Sequence, residues 1–179
     1  MAAAIEEGAA AKAVLAALGG DKQALIEAAG RAVAAGSPAP LTEMGIALVA
    51  IDGATLVGTL YAMPPGNYIG QLVARGIEPA RATVIALAVV NIKALAVDPA
   101  YRGCGVASSL LAECVRLYSQ LGYRLLHGSF DSDSGLEAFY AARGFEIVPL
   151  GSSIQMDILV GQPARLGAEP GERIFMRWQ

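Results

Sequence analysis

The stretch Leu95-Ala96-Val97-Asp98-Pro99-Ala100-Tyr101-Arg102-Gly103-Cys104-Gly105-Val106-Ala107 decides how this chain is read. An apolar run stops at Asp98-Pro99, Gly103 and Gly105 follow, and an amphipathic run begins at Val106. The pattern is strand, tight turn, helix. Glycine has no Cβ, so Gly103 and Gly105 let the backbone turn several amide hydrogens into one concavity. A helix starting there adds the partnerless N–H groups of its first turn and the positive end of its dipole. Together these bind a pyrophosphate, and Arg102 supplies a fixed charge at the rim. On glycine spacing alone, an ordinary strand-to-helix turn explains the stretch equally well. It is not a Walker loop, because no Gly-Lys-Ser/Thr follows. Nor is it a Rossmann fingerprint, because the third glycine and the later acid are missing.

Downstream, Leu110, Cys114, Leu117 and Leu121 are spaced i, i+4, i+7, i+11, the stripe of a helix packed on a sheet, and Gly122 ends it. Residues 125–130 read as a strand, 134–143 as a short helix closed by Gly144, and 145–150 as a strand. Residues 151–171 read as a variable loop and 174–178 as a final strand. Upstream, residues 82–97 read as one long strand, with Asn91 marking a bulge or break. The prolines and glycines of 63–81 suggest a loop or lid with one short helical stretch at most. Residues 46–51 and 55–62 form a hairpin about Asp52-Gly53, a pair suited to a two-residue turn with positive φ at both central positions. Asp21 caps a helix over 22–35, with Leu25, Ile26, Ala29 and Val33 on one face, ended by Gly36 and the Pro38/Pro40 pair. A first helix covers 5–18, with Val14, Leu15 and Leu18 on one side, and no strand is visible before residue 5. The class is mixed α/β, a sheet with parallel and antiparallel parts covered by helices.

Residues 92–107 resemble the central motif of the GNAT (GCN5-related N-acetyltransferase) superfamily, Arg/Gln-x-x-Gly-x-Gly/Ala after a strand ending Leu-x-Val-x-Pro. A second signature, Asn-x-x-Ala-x-x-Phe/Leu-Tyr-x-x-x-Gly-Phe, is matched by Asp133-Ser134-Gly135-Leu136-Glu137-Ala138-Phe139-Tyr140-Ala141-Ala142-Arg143-Gly144-Phe145. The resemblance covers roughly residues 82–150. It implies one GNAT-like domain over 1–179, with N-terminal helices in 1–43 and an acetyl-CoA-binding core in 82–150. The expected architecture is a mixed central sheet flanked by helices, with splayed strands binding acyl-CoA.

The same resemblance implies site roles. The backbone of Leu95, Ala96 and Val97 would pair with the pantetheine arm, a bulge there aiming an N–H at the thioester oxygen. Arg102, Gly103, Cys104, Gly105, Val106 and Ala107 would hold the pyrophosphate of coenzyme A, and Asp133 stands where the family has a pantetheine-contacting asparagine. Tyr140 stands where the family has the general acid that protonates the departing thiolate; a phenol pKa near 10 suits an alkyl thiol. Residues 82–97 carry no Glu or Asp, so the usual place for a general base is empty. The amine would lose its proton through a water chain, to His127, or before binding. Other readings stand beside these: Tyr140 as a packing aromatic, His127 as a structural imidazole, Asp131 and Asp133 as caps of the helix at 134, Cys104 as an incidental turn residue, Cys114 as core.

Composition narrows the partners. The chain has 179 residues, 13 Lys and Arg against 16 Asp and Glu, and a net charge of −3. An acidic protein lacks the basic face that a nucleic-acid backbone demands. Mean hydropathy is +0.49, much of it from alanine rather than from membrane-length runs; the longest apolar run, Val84 to Val90, is far short of a span. With one histidine and two cysteines outside any ligand spacing, no metal is expected. The N-terminal Met-Ala-Ala-Ala-Ile-Glu-Glu has acid where a signal peptide has base, which points to a soluble cytoplasmic protein. The expectation is an acetyl-CoA-dependent N-acetyltransferase with an amine-bearing small molecule or peptide as acceptor. The alternative is a non-catalytic acyl-CoA-binding sensor or interaction module. A nucleotide-binding α/β protein is disfavoured by the missing lysine and acid. Phe175, Met176 and Trp178 suit the core or a homodimer interface.

Overall fold

The computed structural model describes residues 2–4, 9–36 and 39–179. The first strand, β1 (Ala2–Ala4), pairs antiparallel with residues 47–49, although three alanines carry no strand signal and none was expected there. A partner's open edge, not its own propensity, makes it a strand. Two helices follow, α1 (Ala9–Leu18) and α2 (Lys22–Ala34); residues 5–8 of the expected first helix, and Pro38, lie outside the described residues. Asp21 caps α2 by accepting the Ala24 N–H at 3.3 Å. Val14, Leu25, Ala29 and Val33 are buried, but Leu15 and Ile26 are exposed. Each of the exposed pair lies one residue, about 100° of helix, beyond a buried one.

After α3 (Ala39–Thr42) comes the hairpin of β2 (Ile46–Asp52) and β3 (Thr55–Met63). Asp52 faces Thr55, so Gly53 and Ala54 are the central residues, one place later than expected. Only Gly53 has positive φ, +60°. That is the first central position, which a type II′ turn gives to glycine.

Between the hairpin and the glycine turn, two segments differ from the sequence reading. Residues 63–81 are not a loop: they hold α4 (Gly66–Ala74) and lead into α5 (Pro79–Ala88). The prolines that suggested a loop stand at helix starts, Pro65 just before α4 and Pro79 in the first turn of α5, where the missing N–H costs nothing. Residues 82–97 are likewise not one strand. Residues 82–88 belong to α5, and β4 (Val89–Val97) begins only where Val89 turns to extended backbone. Ala82, Ile85, Ala86 and Ala88 are buried, as are Val89 and Val90, so burial on most sides hides the change of period.

The glycine turn then leads into α6 (Val106–Leu121), which lies across β2, β3 and β4 and buries Leu110, Cys114, Leu117 and Leu121. Burial pushes the Cys114 thiol up to about 12. Next is β5 (Leu125–Asp131), then α7 (Glu137–Ala141), shorter than expected because Gly135 has a φ of +71°. The expected strand over 145–150 shrinks to β6 (Glu146–Ile147). The expected loop 151–171 contains α8 (Asp157–Val160) and a two-stranded sheet of β7 (Ile154–Gln155) and β8 (Arg165–Leu166). The last strand, β9 (Glu172–Trp178), inserts between β5 and β6. Phe175 is buried in the core, whereas Trp178 is exposed.

The main sheet therefore runs β1-β2-β3-β4-β5-β9-β6, antiparallel except where β4 meets β5. Among the described residues no helix is long and apolar enough to cross a membrane.

Candidate active site

The parallel pair β4 and β5 is joined only over residues 89–92 and 125–128. Beyond that point β4 continues to Val97 bonded to β3 alone, and β5 continues to Asp131 bonded to β9 alone. The sheet is thus split, and among the described residues the β5-facing edge of residues 93–97 has no strand partner. The split has local causes. Lys93 is an extra residue on β4, since Tyr61 faces Ala94 and Ala62 faces Ile92. A bulge of this kind bends its strand and ends regular pairing. It lies two residues before Leu95, not at residues 95–97, and two after Asn91. On β5, a Cβ at Gly128 would collide with the Phe175 ring and sit 2.7 Å from the Ile92 carbonyl oxygen, so glycine is required at the fork.

At the β4 end of the split, Asp98 accepts the Ala100 N–H at 2.8 Å and tightens the turn. Gly103 and Gly105 have φ of +78° and +84°, and a Cβ at either would meet no protein atom within 4 Å. The backbone is therefore shaped for glycine while the space above it is open. A cavity of about 240 Å³ lies here, lined by Val97, Arg102, Gly103, Gly105, Val106 and Ala107 from the expected set. Cys104 is exposed beside it, and Leu95 and Ala96 lie along the unpaired edge. Sequence reasoning missed Arg143, Ser108, Tyr101 and Phe139, which line the same cavity. The Arg143 guanidinium donates to Ser108 Oγ and the Phe139 carbonyl and stacks 3.7 Å over the Phe139 ring. That fixes a second cation facing the glycine turn. Its signal was its place one residue before Gly144 in the quoted motif.

A second cavity, about 300 Å³, opens where β4 and β5 part. Its floor is Asn91, Lys93, His127 and Ser129; one wall is the start of α4 and the other the segment from β8 to β9. His127 is 5 % exposed, and its Nε2 has no hydrogen-bond partner among the described residues. Burial, with the Lys93 charge behind it, pushes its pKa down to about 3. It is a neutral imidazole, and a weak base, at any ordinary pH. Lys93 is the one charged side chain within residues 82–97, and that is its signal in the sequence.

Tyr140 lines neither cavity. It stacks on Phe175 with centroids 3.7 Å apart and packs against Phe130, Phe139 and Phe145. Its hydroxyl makes no hydrogen bond among the described residues, and burial holds the phenol above its ordinary pKa of 10. Asp133 also lies outside both cavities. Its N–H donates to Asp131 Oδ1 at 2.9 Å, so the pair forms a local turn, and neither caps α7, which has no side-chain cap. The carboxylates that do reach the second cavity are Glu169 and Glu172.

The fold has counterparts among solved structures. No protein of curated function matches the sequence at a significant level. Solved structures share the fold: an acetyltransferase from Streptococcus agalactiae (13 % identity, 75 % of this chain and 67 % of that chain, TM-score 0.51) is one. Others are the GNAT domain of S. lividans PAT (17 %, 75 % and 61 %, TM-score 0.51) and a GNAT-family acetyltransferase from Staphylococcus aureus (17 %, 75 % and 67 %, TM-score 0.50). At these identities the likeness is one of fold. A model of the acetyltransferase (GNAT) domain matches residues 43–147, which include the hairpin, the split strand pair, the glycine turn and Tyr140, so the chain belongs to the GNAT acetyltransferase family.

Proposed function

We propose that the chain is an acetyl-CoA-dependent N-acetyltransferase acting by direct attack in a ternary complex, with an amine of a small molecule or peptide as acceptor. The observation that carries this reading is the split between β4 and β5, with a phosphate-suited cavity at one end and a second, polar cavity at the fork. An unpaired strand edge beside a glycine-lined helix start fits an extended amide-bearing arm that ends in a pyrophosphate.

In this reading Leu95, Ala96 and Val97 offer backbone groups to the pantetheine arm. The Gly103, Cys104, Gly105, Val106 and Ala107 amides hold the pyrophosphate, with Arg102 and Arg143 supplying charge. Acetyl-CoA supplies the activated acetyl group. An amide near the Lys93 bulge donates to the thioester oxygen as negative charge develops there. Tyr140, which stands beside the parted end of β5, stacked on Phe130, rather than in the lining of either cavity, is the proton donor the family resemblance implies for the departing thiolate. His127 is too weak a base to keep the amine's proton; it holds the neutral amine or a water by a hydrogen bond, and the proton goes to solvent. Asp133 is left out, since its own turn engages its backbone.

The test is thiol release from acetyl-CoA with a panel of polyamines, aminoglycosides, amino acids and short peptides. Turnover with any amine supports the transferase. Thermal stabilisation by coenzyme A without turnover across the panel supports the binding module instead.

A further inference from the structure

The two carboxylates that line the second cavity, Glu169 and Glu172, both stand on its β8–β9 side. One wall is the first turn of α4, Gly66 to Tyr68, whose N-terminus follows Pro65 and has no side-chain cap. First-turn N–H groups lack intrahelical partners and form the positive end of the helix dipole. The floor adds the Lys93 ammonium on the β4 bulge. The β8–β9 segment contributes Arg165 and the carboxylates Glu169 and Glu172. Among the described residues none of these charged side chains is in an ion pair. Two polar atoms that belong to the cavity's lining residues, Tyr68 Oη and His127 Nε2, are buried without a hydrogen-bond partner. Folded proteins rarely leave such atoms unsatisfied, and His127, on the cavity floor, is the one whose Nε2 a ligand in the cavity can satisfy.

We propose that the acceptor is a small α-amino acid, its carboxylate seated between the α4 N-terminus and Lys93 and its amine on the side of Glu172. This rests on the transferase reading above. A polyamine or aminoglycoside would bring a further cation against Lys93 and the positive helix end, whereas a zwitterion matches both walls. The cavity volume, about 300 Å³, is at the small end for ligand sites. A peptide N-terminus lacks the adjacent carboxylate that this wall accepts. The transfer balances: the bound ammonium first gives one proton to solvent, the neutral nitrogen then forms the bond to the acetyl carbon as the carbon–sulfur bond breaks, and the nitrogen gives up a second proton to solvent. The sulfur takes one from Tyr140, which solvent restores, leaving an N-acetyl amino acid and free coenzyme A.

The experiment compares the common L-amino acids with their amides and decarboxylated amines, by thiol release and by calorimetric binding to the coenzyme A complex. The best amino acid should exceed its amide by roughly tenfold or more in kcat/KM, because an amide leaves the carboxylate site unmatched. Lys93→Gln should bring that ratio towards one and Lys93→Arg should keep it; Lys93 is exposed, and a melting curve checks folding. Equal use of amide and amino acid, or turnover of amines but of no amino acid, overturns the proposal and leaves the transferase standing. Carboxylate-selective binding without thiol release supports the site and overturns the transferase. Absence of binding and release for every amino acid overturns the proposal, and absence of release for the amides and decarboxylated amines as well overturns both.

Discussion

Tyr140→Phe separates chemistry from packing in a way the structure makes quantitative. The ring stacks 3.7 Å from Phe175 and touches three further aromatics, and phenylalanine keeps every one of those contacts. The hydroxyl makes no hydrogen bond among the described residues, so its removal strands no partner. Stability should change by less than about 1 kcal/mol, since a hydroxyl without a partner contributes little. Coenzyme A affinity should also hold, because Tyr140 lines neither cavity. If the phenol protonates the thiolate, kcat should fall ~10²–10⁴-fold, about 3–5 kcal/mol in the barrier. Burial holds the phenol above 10, so the acid form prevails across the ordinary assay range and the deficit should not depend on pH there. Tyr140→Ala provides the contrast, with a loss of about 3–5 kcal/mol in stability from the cavity it leaves. The measurements are a thermal melt, a coenzyme A titration and steady-state rates at saturating acetyl-CoA. A kcat within about a factor of two of wild type would refute the acid role and leave Tyr140 as packing alone.

Three other outcomes are expected. Gly105→Ala places a Cβ on backbone with a φ of +84°, costing about 1–2 kcal/mol, and should weaken coenzyme A binding in a titration; unchanged affinity would remove the turn from the site. Valine there would add β-branched strain, so alanine is the cleaner probe. His127 is neutral in the folded protein down to about pH 3 but protonates near 6.5 when unfolded. Its contribution to stability is therefore complete above pH 6.5 and lost progressively as pH falls towards 3; a His127→Asn variant should show a flatter melting-temperature profile in that window, and an unchanged slope would contradict the burial argument. For activity, kcat/KM should rise towards alkaline pH with the fraction of neutral amine and show no inflection near 6.5; a decline above pH 8 with a good acceptor would show that a protonated group other than Tyr140 is needed.

The glycine turn of the candidate site was legible because its signals are local. Gly103 and Gly105 stand where only glycine adopts the backbone easily, and the apolar stripe of α6 follows at once. Asp21 as a cap and Gly53 in a turn are of the same kind. The helix-to-strand change at Val89 was not legible. No glycine or proline punctuates residues 82–97, and apolar side chains on both sides of that change are buried. Ala2–Ala4 was hidden for a different reason, since it is a strand only because β2 has a free edge.

By itself the sequence determined what neighbours along the chain decide: the α/β class, the glycine turn and the long helix behind it. Tertiary structure alone decided where β4 and β5 part, that β9 enters between β5 and β6, and that α4, Lys93, His127 and Glu172 surround one cavity. These residues are scattered from position 66 to position 172, and no periodicity relates them. Their meeting depends on a bulge at Lys93 and on the Phe175 ring lying over Gly128, contacts between segments far apart in the chain.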